Sequence, residues 1–344
     1  MAMRTRFGMA LFVGFLLAAR APVAQAQDVG ELFRNINPSV VVVRATGREV
    51  TAARGVSTFK ETGSGVLISA DGKVMTAAHV VHSMDEVKVE FLGGEAVSAR
   101  VIESEPAADL SLLQLERVPA GAKVAPLGDS DKARVGDQVA VVGAPYGLSY
   151  SLSVGWISAR WPRNTVYRAM PLAEFFQTNA TINTGNSGGP MFNMRGEVIG
   201  IVSHIISKSG GSEGLGFVVT MKTAKELLLE TKSVWAGLEG TLLTGELAEV
   251  FNLPGGSGFM VKTVAKGSPA WTAGVLGGDR TATINGQDIV VRGDVILEVA
   301  GIAIKAADDM PKIREKLGAM KAGQPFKISV LRAGKVLELT GNLP

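Results

Sequence analysis

Residues 181–190 read TINTGNSGGP, a single serine set among glycines. Ser187 follows Gly185 and Asn186 and precedes Gly188 and Gly189. Glycines on both sides permit backbone conformations and close approaches that a Cβ would block, which suits a nucleophile in a tight turn and also an ordinary polar turn. The choice depends on finding a base. A serine hydroxyl attacks only when a neighbouring group takes its proton and a third group orients that base. The chain has three histidines, His79, His82 and His204. GNSGG satisfies the G-x-S-x-G pattern of the α/β-hydrolases, but that fold requires the order serine, acid, histidine. The only histidine after Ser187 is His204, in an apolar run that reads as part of a β-hairpin, and the chain lacks the β–α alternation of a parallel sheet. What remains is histidine, acid, serine. His79 ends TAAH at 76–79, and Asp109 sits in AADLSLLQL at 107–115, with small residues before it and an apolar strand after. Taken alone, Asp109 also fits a solvated turn. Asp129, Asp131 and Asp137 compete with it from a polar, turn-rich segment.

The chain of 344 residues has room for two domains, and 46% hydrophobic with 19% charged residues suits a buried core. Forty-two glycines and many valine-rich runs indicate turn-dense β-structure. Strands are expected at 39–45, 65–69, 74–76, 87–91, 110–115, 139–142, 153–159, 191–206 and 215–219, with Asp71-Gly72 marking a hairpin. A helix is expected over 221–232, and a domain boundary near 233. Residues 1–26 have a basic start, an apolar run and Ala24-Gln25-Ala26, the layout of a secretory signal peptide. They hold Arg4, Arg6 and Arg20 without an acid, so removing them takes the net charge of +3 to zero. With a neutral mature chain, no polycationic surface argues for nucleic acid or anionic lipid as a partner. With no cysteine there is no disulfide framework and no thiol nucleophile. No metal-ligating cluster is visible, and no cofactor is implied.

TAAH79, AD109LSLL and TGNS187GGP resemble the three active-site motifs of the HtrA/Deg family of trypsin-like serine proteases. LGDSDK at 127–132, VGD at 135–137, GAPYG at 143–147 and GLGFV at 214–218 are similar to family segments lying between and after them. The resemblance implies a mostly β fold, a chymotrypsin-like double β-barrel over 27–232. It implies His79, Asp109 and Ser187 as catalytic residues, with the N–H groups of Gly185 and Ser187 as an oxyanion hole. By the same resemblance Ile182, His204 and Ile205 line the substrate pocket. Without a buried acid at its base, such a pocket takes small or medium apolar side chains. His82 is expected at the surface or partly packed, and Trp161–Leu172 is expected to couple activation to the site.

WAGLEG at 235–240, ELAEVFNLP at 246–254, GSPA at 267–270 and GDVILEVAG at 293–301 are similar to the family's PDZ domain, over 233–344. PDZ domains bind peptide C-termini as an added strand. Ala236, Gly237 and Leu238 occupy the expected carboxylate loop. After Gly277-Gly-Asp279 the chain inserts RTATINGQDIVV before repeating Gly-Asp at 293–294, and Asn285-Gly286 predicts an inserted hairpin. The reading is therefore an exported, ATP-independent serine endopeptidase that degrades unfolded or misfolded polypeptides. The periplasm is the expected location, with extracellular release the alternative. Family likeness also implies a homotrimer, with Glu31–Ile36 at its contact. The rival readings are a chaperone that holds unfolded chains and a signalling protease with one dedicated substrate.

Overall fold

The computed structural model describes residues 28–343 apart from 54, 149, 232, 233 and 285. The expected signal segment 1–26, the junction at 232–233 and Asn285 of the predicted turn lie outside the described residues. Asp28 caps helix α1 (Val29–Ile36) by accepting from the Gly30 and Glu31 amides, and Leu32 and Ile36 are buried on the face it presents to the protein.

Six strands close a first barrel: β1 (Val40–Thr51), β2 (Gly55–Leu67), β3 (Lys73–Thr76), β4 (Glu86–Glu90), β5 (Ala96–Glu105) and β6 (Leu110–Leu115), in the order β1-β2-β3-β6-β5-β4. The short helix α2 (Ala78–Val81) follows β3. Six more close a second: β7 (Gln138–Gly143), β8 (Ser151–Trp161), β9 (Phe175–Thr178), β10 (Pro190–Asn193), β11 (Val198–Ile205) and β12 (Gly216–Thr220), in the order β10-β11-β12-β9-β8-β7. This is the chymotrypsin-like double barrel expected from the sequence.

Burial explains the valine runs. Val41 and Val43 fill the first barrel, whereas Val40, on the other face of the same strand, packs in a layer between the barrels with Val66, Met75, Leu110, Val142, Phe175 and Phe192. A strand covered on both faces reads as an unbroken apolar run instead of alternating. Beyond Ala45 the same strand leaves the barrel as one arm of a hairpin paired from Val40↔Val66 to Thr51↔Gly55. The helix expected over 221–232 is shorter: α3 (Met221–Lys225) widens into a π turn at Glu226–Glu230, where the Thr231 amide bonds back to the Glu226 carbonyl.

The C-terminal part forms its own sheet of β13 (Leu238–Thr244), β14 (Ser257–Val264), β17 (Val295–Val299), β18 (Ile302–Ala303), β19 (Pro325–Arg332) and β20 (Lys335–Asn342), with β13 at one edge. Helices α4 (Glu246–Val250), α5 (Pro269–Thr272) and α6 (Asp309–Gly318) accompany it. Ile313 and Leu317 of α6 close its core over Val261, Ile296, Ile328 and Val330. The insertion forms a separate two-stranded ribbon, β15 (Arg280–Ile284) against β16 (Gln287–Val291), in the position expected.

Candidate active site

His79 lies on α2, just past the end of β3. Asp109 immediately precedes β6, after a turn of 3-10 helix, Pro106–Ala108, in which the Ala107 amide is capped by the Glu105 carboxylate at 3.0 Å. The turn ends with Asp109 in the left-handed region, φ 54 and ψ 43, a conformation that aspartate tolerates better than most residues. That backbone bend turns its carboxylate back onto α2. Asp109 Oδ1 and Oδ2 lie 2.9 and 3.0 Å from His79 Nδ1, and Oδ1 also accepts the His79 backbone N–H at 3.0 Å. Ser203, on β11, donates its hydroxyl to Oδ2 at 2.5 Å. The carboxylate is 3% exposed, while the His79 side chain remains 46% exposed to the cleft.

These contacts set the charges. Burial pushes the Asp109 carboxyl up, but the hydrogen bonds and charge of His79, with the Ser203 hydroxyl, outweigh it and hold the group below its usual 3.8. Burial pulls His79 down. The hydrogen bond and charge of Asp109, with Glu61 adding to them, prevail and hold it above its usual 6.5. Asp109 thus stays ionised and accepts only, so Nδ1 of His79 carries a proton and Nε2 is the free base.

Ser187 comes from the other barrel, in the loop between β9 and β10. The loop is a string of turns: Asn186 N–H to the Asn183 carbonyl at 3.0 Å and Gly189 N–H to the Asn186 carbonyl at 2.9 Å. Two glycines are obligatory here. Gly185 (φ +100) lies so close that a Cβ would be 2.1 Å from the Ala144 carbonyl oxygen. Gly188 (φ +81) would bring one to 2.2 Å from Thr76 Oγ1. Ser64 of the first barrel fastens the loop across the junction. Its amide donates to the Ser187 carbonyl at 2.8 Å, and its hydroxyl donates to the Gly185 carbonyl at 2.7 Å while accepting from Ala144 N–H at 2.9 Å. Among the described residues neither the Gly185 nor the Ser187 amide is spent on a backbone carbonyl. The Ser187 hydroxyl points to the Ser203 carbonyl at 3.2 Å. Among the described residues it makes no hydrogen bond to His79.

An open cleft of about 470 Å³ runs past these groups, lined by His79, Ser187, Ile182, Met170, His204 and Ile205 among others. Its far wall, the 206–214 loop, is gathered on one carboxylate: Glu213 accepts from the amides of Lys208 and Ser209 and from the hydroxyls of Ser207 and Ser209. Asn183, two residues before Gly185, ties this loop to the Ser187 loop by accepting the Ser212 N–H at 3.0 Å.

The structure brings together His79, Asp109, Gly185, Ser187, Ile182, His204 and Ile205. It leaves the competing Asp129, Asp131 and Asp137 exposed on the second barrel's surface. His204 is more than a wall: its ring stacks on Phe217 at 5.1 Å and packs against Tyr167 and Phe175. Sequence reasoning missed Ser203, Ser64 and Glu105. A lone serine or glutamate in a strand carries no signal of its partner, here separated by 94 positions for Ser203 and Asp109. Within the 161–172 segment, Tyr167 touches His204, and the Leu172 amide donates to the Ala107 carbonyl of the turn carrying Asp109.

His82 is half-buried where the two parts of the chain meet. Its Nδ1 faces Ser104 Oγ at 2.8 Å and its Nε2 the Leu238 carbonyl at 3.2 Å, while its own carbonyl accepts Trp235 Nε1–H at 2.9 Å. Arg314 of α6 pairs with the buried Glu105 carboxylate that caps the Asp109 turn. Ala236 and Gly237 turn their carbonyls inward, to the amides of Ala270 and Ala265. Leu238 starts the edge strand β13.

Residues 63–201 match the family model described as a trypsin-like peptidase domain. The chain is 31% identical over 354 residues to the periplasmic pH-dependent serine endoprotease DegQ of Escherichia coli K12, covering 94% of this chain and 75% of that protein. It is 34% identical over 284 residues to a probable periplasmic serine endoprotease, DegP-like, of Pseudomonas putida GB-1, covering 79% of this chain and 54% of the relative. The chain spans 54–59% of the length of three such DegP-like relatives. Among solved structures it resembles the HtrA-type protease AlgW with a decapeptide, at a TM-score of 0.53 and 28% identity over 91% of this chain and 97% of that one. AlgW with a tripeptide matches at 0.53 and 30% identity, over 91% and 95%.

Proposed function

Because the chain belongs to the HtrA/Deg family of trypsin-like serine proteases, we propose that it is an ATP-independent serine endopeptidase of the cell envelope that degrades unfolded or misfolded proteins in the periplasm. The observation that carries this is the buried Asp109 carboxylate holding the His79 ring, on the barrel facing Ser187 and two unspent amides. In this reading Ser187 Oγ attacks the peptide carbonyl while His79 Nε2 takes its proton, then returns it to the departing amine. Asp109 holds Nδ1–H in place and stabilises the imidazolium. The Gly185 and Ser187 amides donate to the developing oxyanion, each worth on the order of 3–4 kcal/mol. Residues 27–232 form the protease domain.

Residues 233–344 are read as a PDZ domain. An edge strand, β13, beside the 236–238 loop supports addition of a peptide C-terminus as one more strand. The N-terminal helix α1 is read as part of a homotrimer contact, which sedimentation of the mature chain tests directly.

The deciding experiment is release of fluorescent fragments from unfolded casein by the mature protein and by Ser187→Ala. Cleavage by the first and none by the second is expected. Equal cleavage by both would sink the assignment of Ser187. Removing 234–344 should leave basal casein cleavage and abolish any stimulation by added C-terminal peptides.

A further inference from the structure

The catalytic reading uses one side of Asp109. The other side is occupied by a chain of two residues that the mechanism does not call upon, Ser203 and His204. Ser203 Oγ lies 2.5 Å from Asp109 Oδ2 and 3.0 Å from His204 Nδ1. A hydroxyl has one proton to give. The ionised carboxylate only accepts, so Ser203 donates to Asp109 and its oxygen must accept from His204. His204 therefore carries its proton on Nδ1. Its Nε2 is left as a bare lone pair, buried and with no hydrogen-bond partner among the described residues. The ring is held by stacking on Phe217, tilted contact with Tyr167 and edge contact with Phe175.

An aromatic ring without nitrogen would fill this box and leave no orphaned acceptor, so the imidazole costs stability that packing does not require. The compensating gain lies at Nδ1. We propose that His204 is a positioning residue for the catalytic acid, polarising the Ser203 hydroxyl and through it fixing Asp109 against His79. This rests on reading His79, Asp109 and Ser187 as the catalytic set. A hydroxyl that accepts a hydrogen bond becomes a better donor. Removing the Nδ1–H donor leaves Ser203 a weaker partner and Asp109 more basic, and Asp109 then holds the proton on His79 more firmly. The charged and titratable groups facing this chain are Asp109, His79, Glu61 beyond His79, and Tyr167 over the ring. His204 itself stays neutral, because burial and the neighbouring His79 outweigh the pull of Asp109.

Three variants separate this role from simple packing. His204→Phe keeps the ring and loses the donor. His204→Asn keeps an N–H at the Nδ1 position, whereas His204→Gln moves its amide to the Nε2 position. Casein-peptide cleavage is followed as kcat and KM against pH, with Tm recorded for each. For His204→Phe we expect Tm equal to or above wild type, kcat lower by roughly two- to tenfold, the net worth of one hydrogen bond, and an acid limb moved to higher pH. His204→Asn should restore the wild-type limb despite a lower Tm, and His204→Gln should not. A wild-type kcat and pH profile in His204→Phe, or a change confined to KM, would overturn the proposal. Equal impairment of the Asn and Gln variants would do the same, even if the Phe variant failed to fold. Labelling of wild-type Ser187 by a fluorophosphonate isolates the premise. Without labelling, the catalytic reading itself falls and takes this proposal with it. With labelling but unmoved profiles, only the proposal falls.

Discussion

Asp109 reaches His79 from a left-handed backbone conformation, and it can hold that conformation because Glu105 caps the turn before it. Replacing the carboxylate with a carboxamide leaves this geometry standing but offers an N–H where only acceptors fit. Asp109→Asn should retain the fold and lose about 10⁴ in kcat, the loss seen when the imidazole is held in the wrong tautomer. The shifts also fix the pH behaviour. His79 works as a base only when neutral, and its pKa is raised, so kcat/KM should fall with acidification from a point above 6.5. Stability runs the other way. A raised His79 contributes fully below 6.5 and ceases to contribute as pH rises through its folded value, whereas the lowered Asp109 contributes above 3.8 and fades as pH falls through its own. The Tm difference between wild type and Asp109→Asn should therefore be widest between these limits and narrow on both sides, which thermal melts at a series of pH values would check. Gly188→Ala forces a Cβ to 2.3 Å from the Ser64 carbonyl oxygen at φ +81, so it should cost at least the ~1–3 kcal/mol of a strained backbone position and lower both Tm and activity. At this scale the three residues proposed as catalytic were legible as candidates because each sits in its own short motif, and the fold sets all three along one cleft. Its supports were not: Ser64, Ser203 and Glu105 matter through where the fold brings them, and nothing beside them in the chain marks that.

Elements whose pattern reports their surroundings were equally legible. The VVVV run of β1 and the apolar LSLL of β6 announce strands covered on both faces. Those missed have patterns set by something else. β5, AVSARVIESE, shifts register between Val101 and Glu103, so its inward residues break step halfway along. β9 is only four residues, too short to establish any period. The outer halves of β1 and β2 leave the barrel; residues 55–60 alternate between half-buried and exposed, but Val56 faces out and Ser57 in, so hydrophobicity does not report the pattern. The 206–214 loop depends on a different device, a single carboxylate collecting four donors. Glu213→Ala should loosen the cleft wall and raise KM several-fold with kcat and Tm nearly unchanged, because the contacts it makes are at the exposed surface. A drop in kcat equal to the rise in KM would instead mean that the Asn183–Ser212 bond carries the disorder into the nucleophile loop.

Across the whole molecule, the two parts of the chain meet around His82 and through Arg314 with Glu105. Glu105 is 3% exposed, and it both caps the Asp109 turn and pairs with Arg314 of α6. Arg314→Leu strands that carboxylate and should cost about 3–5 kcal/mol, the usual loss when one side of a buried pair is removed. Glu105→Gln added to it should recover part of the loss, and chemical denaturation of the single and double variants measures both. The order of the motifs along the chain was enough to anticipate two barrels and a third unit, but no local pattern could anticipate that α6 would lean on the turn that carries Asp109. The division of the active site between barrels has one further consequence. His79 and Asp109, the proposed base and acid, belong to one closed barrel and Ser187, the proposed nucleophile, to the other, with Ser64 as the fastener between them. A polypeptide midway through folding, with one barrel complete, carries either a base without a target or a nucleophile without a base. Such a copy is disarmed. A peptidase built this way can cut only after its own chain has finished folding.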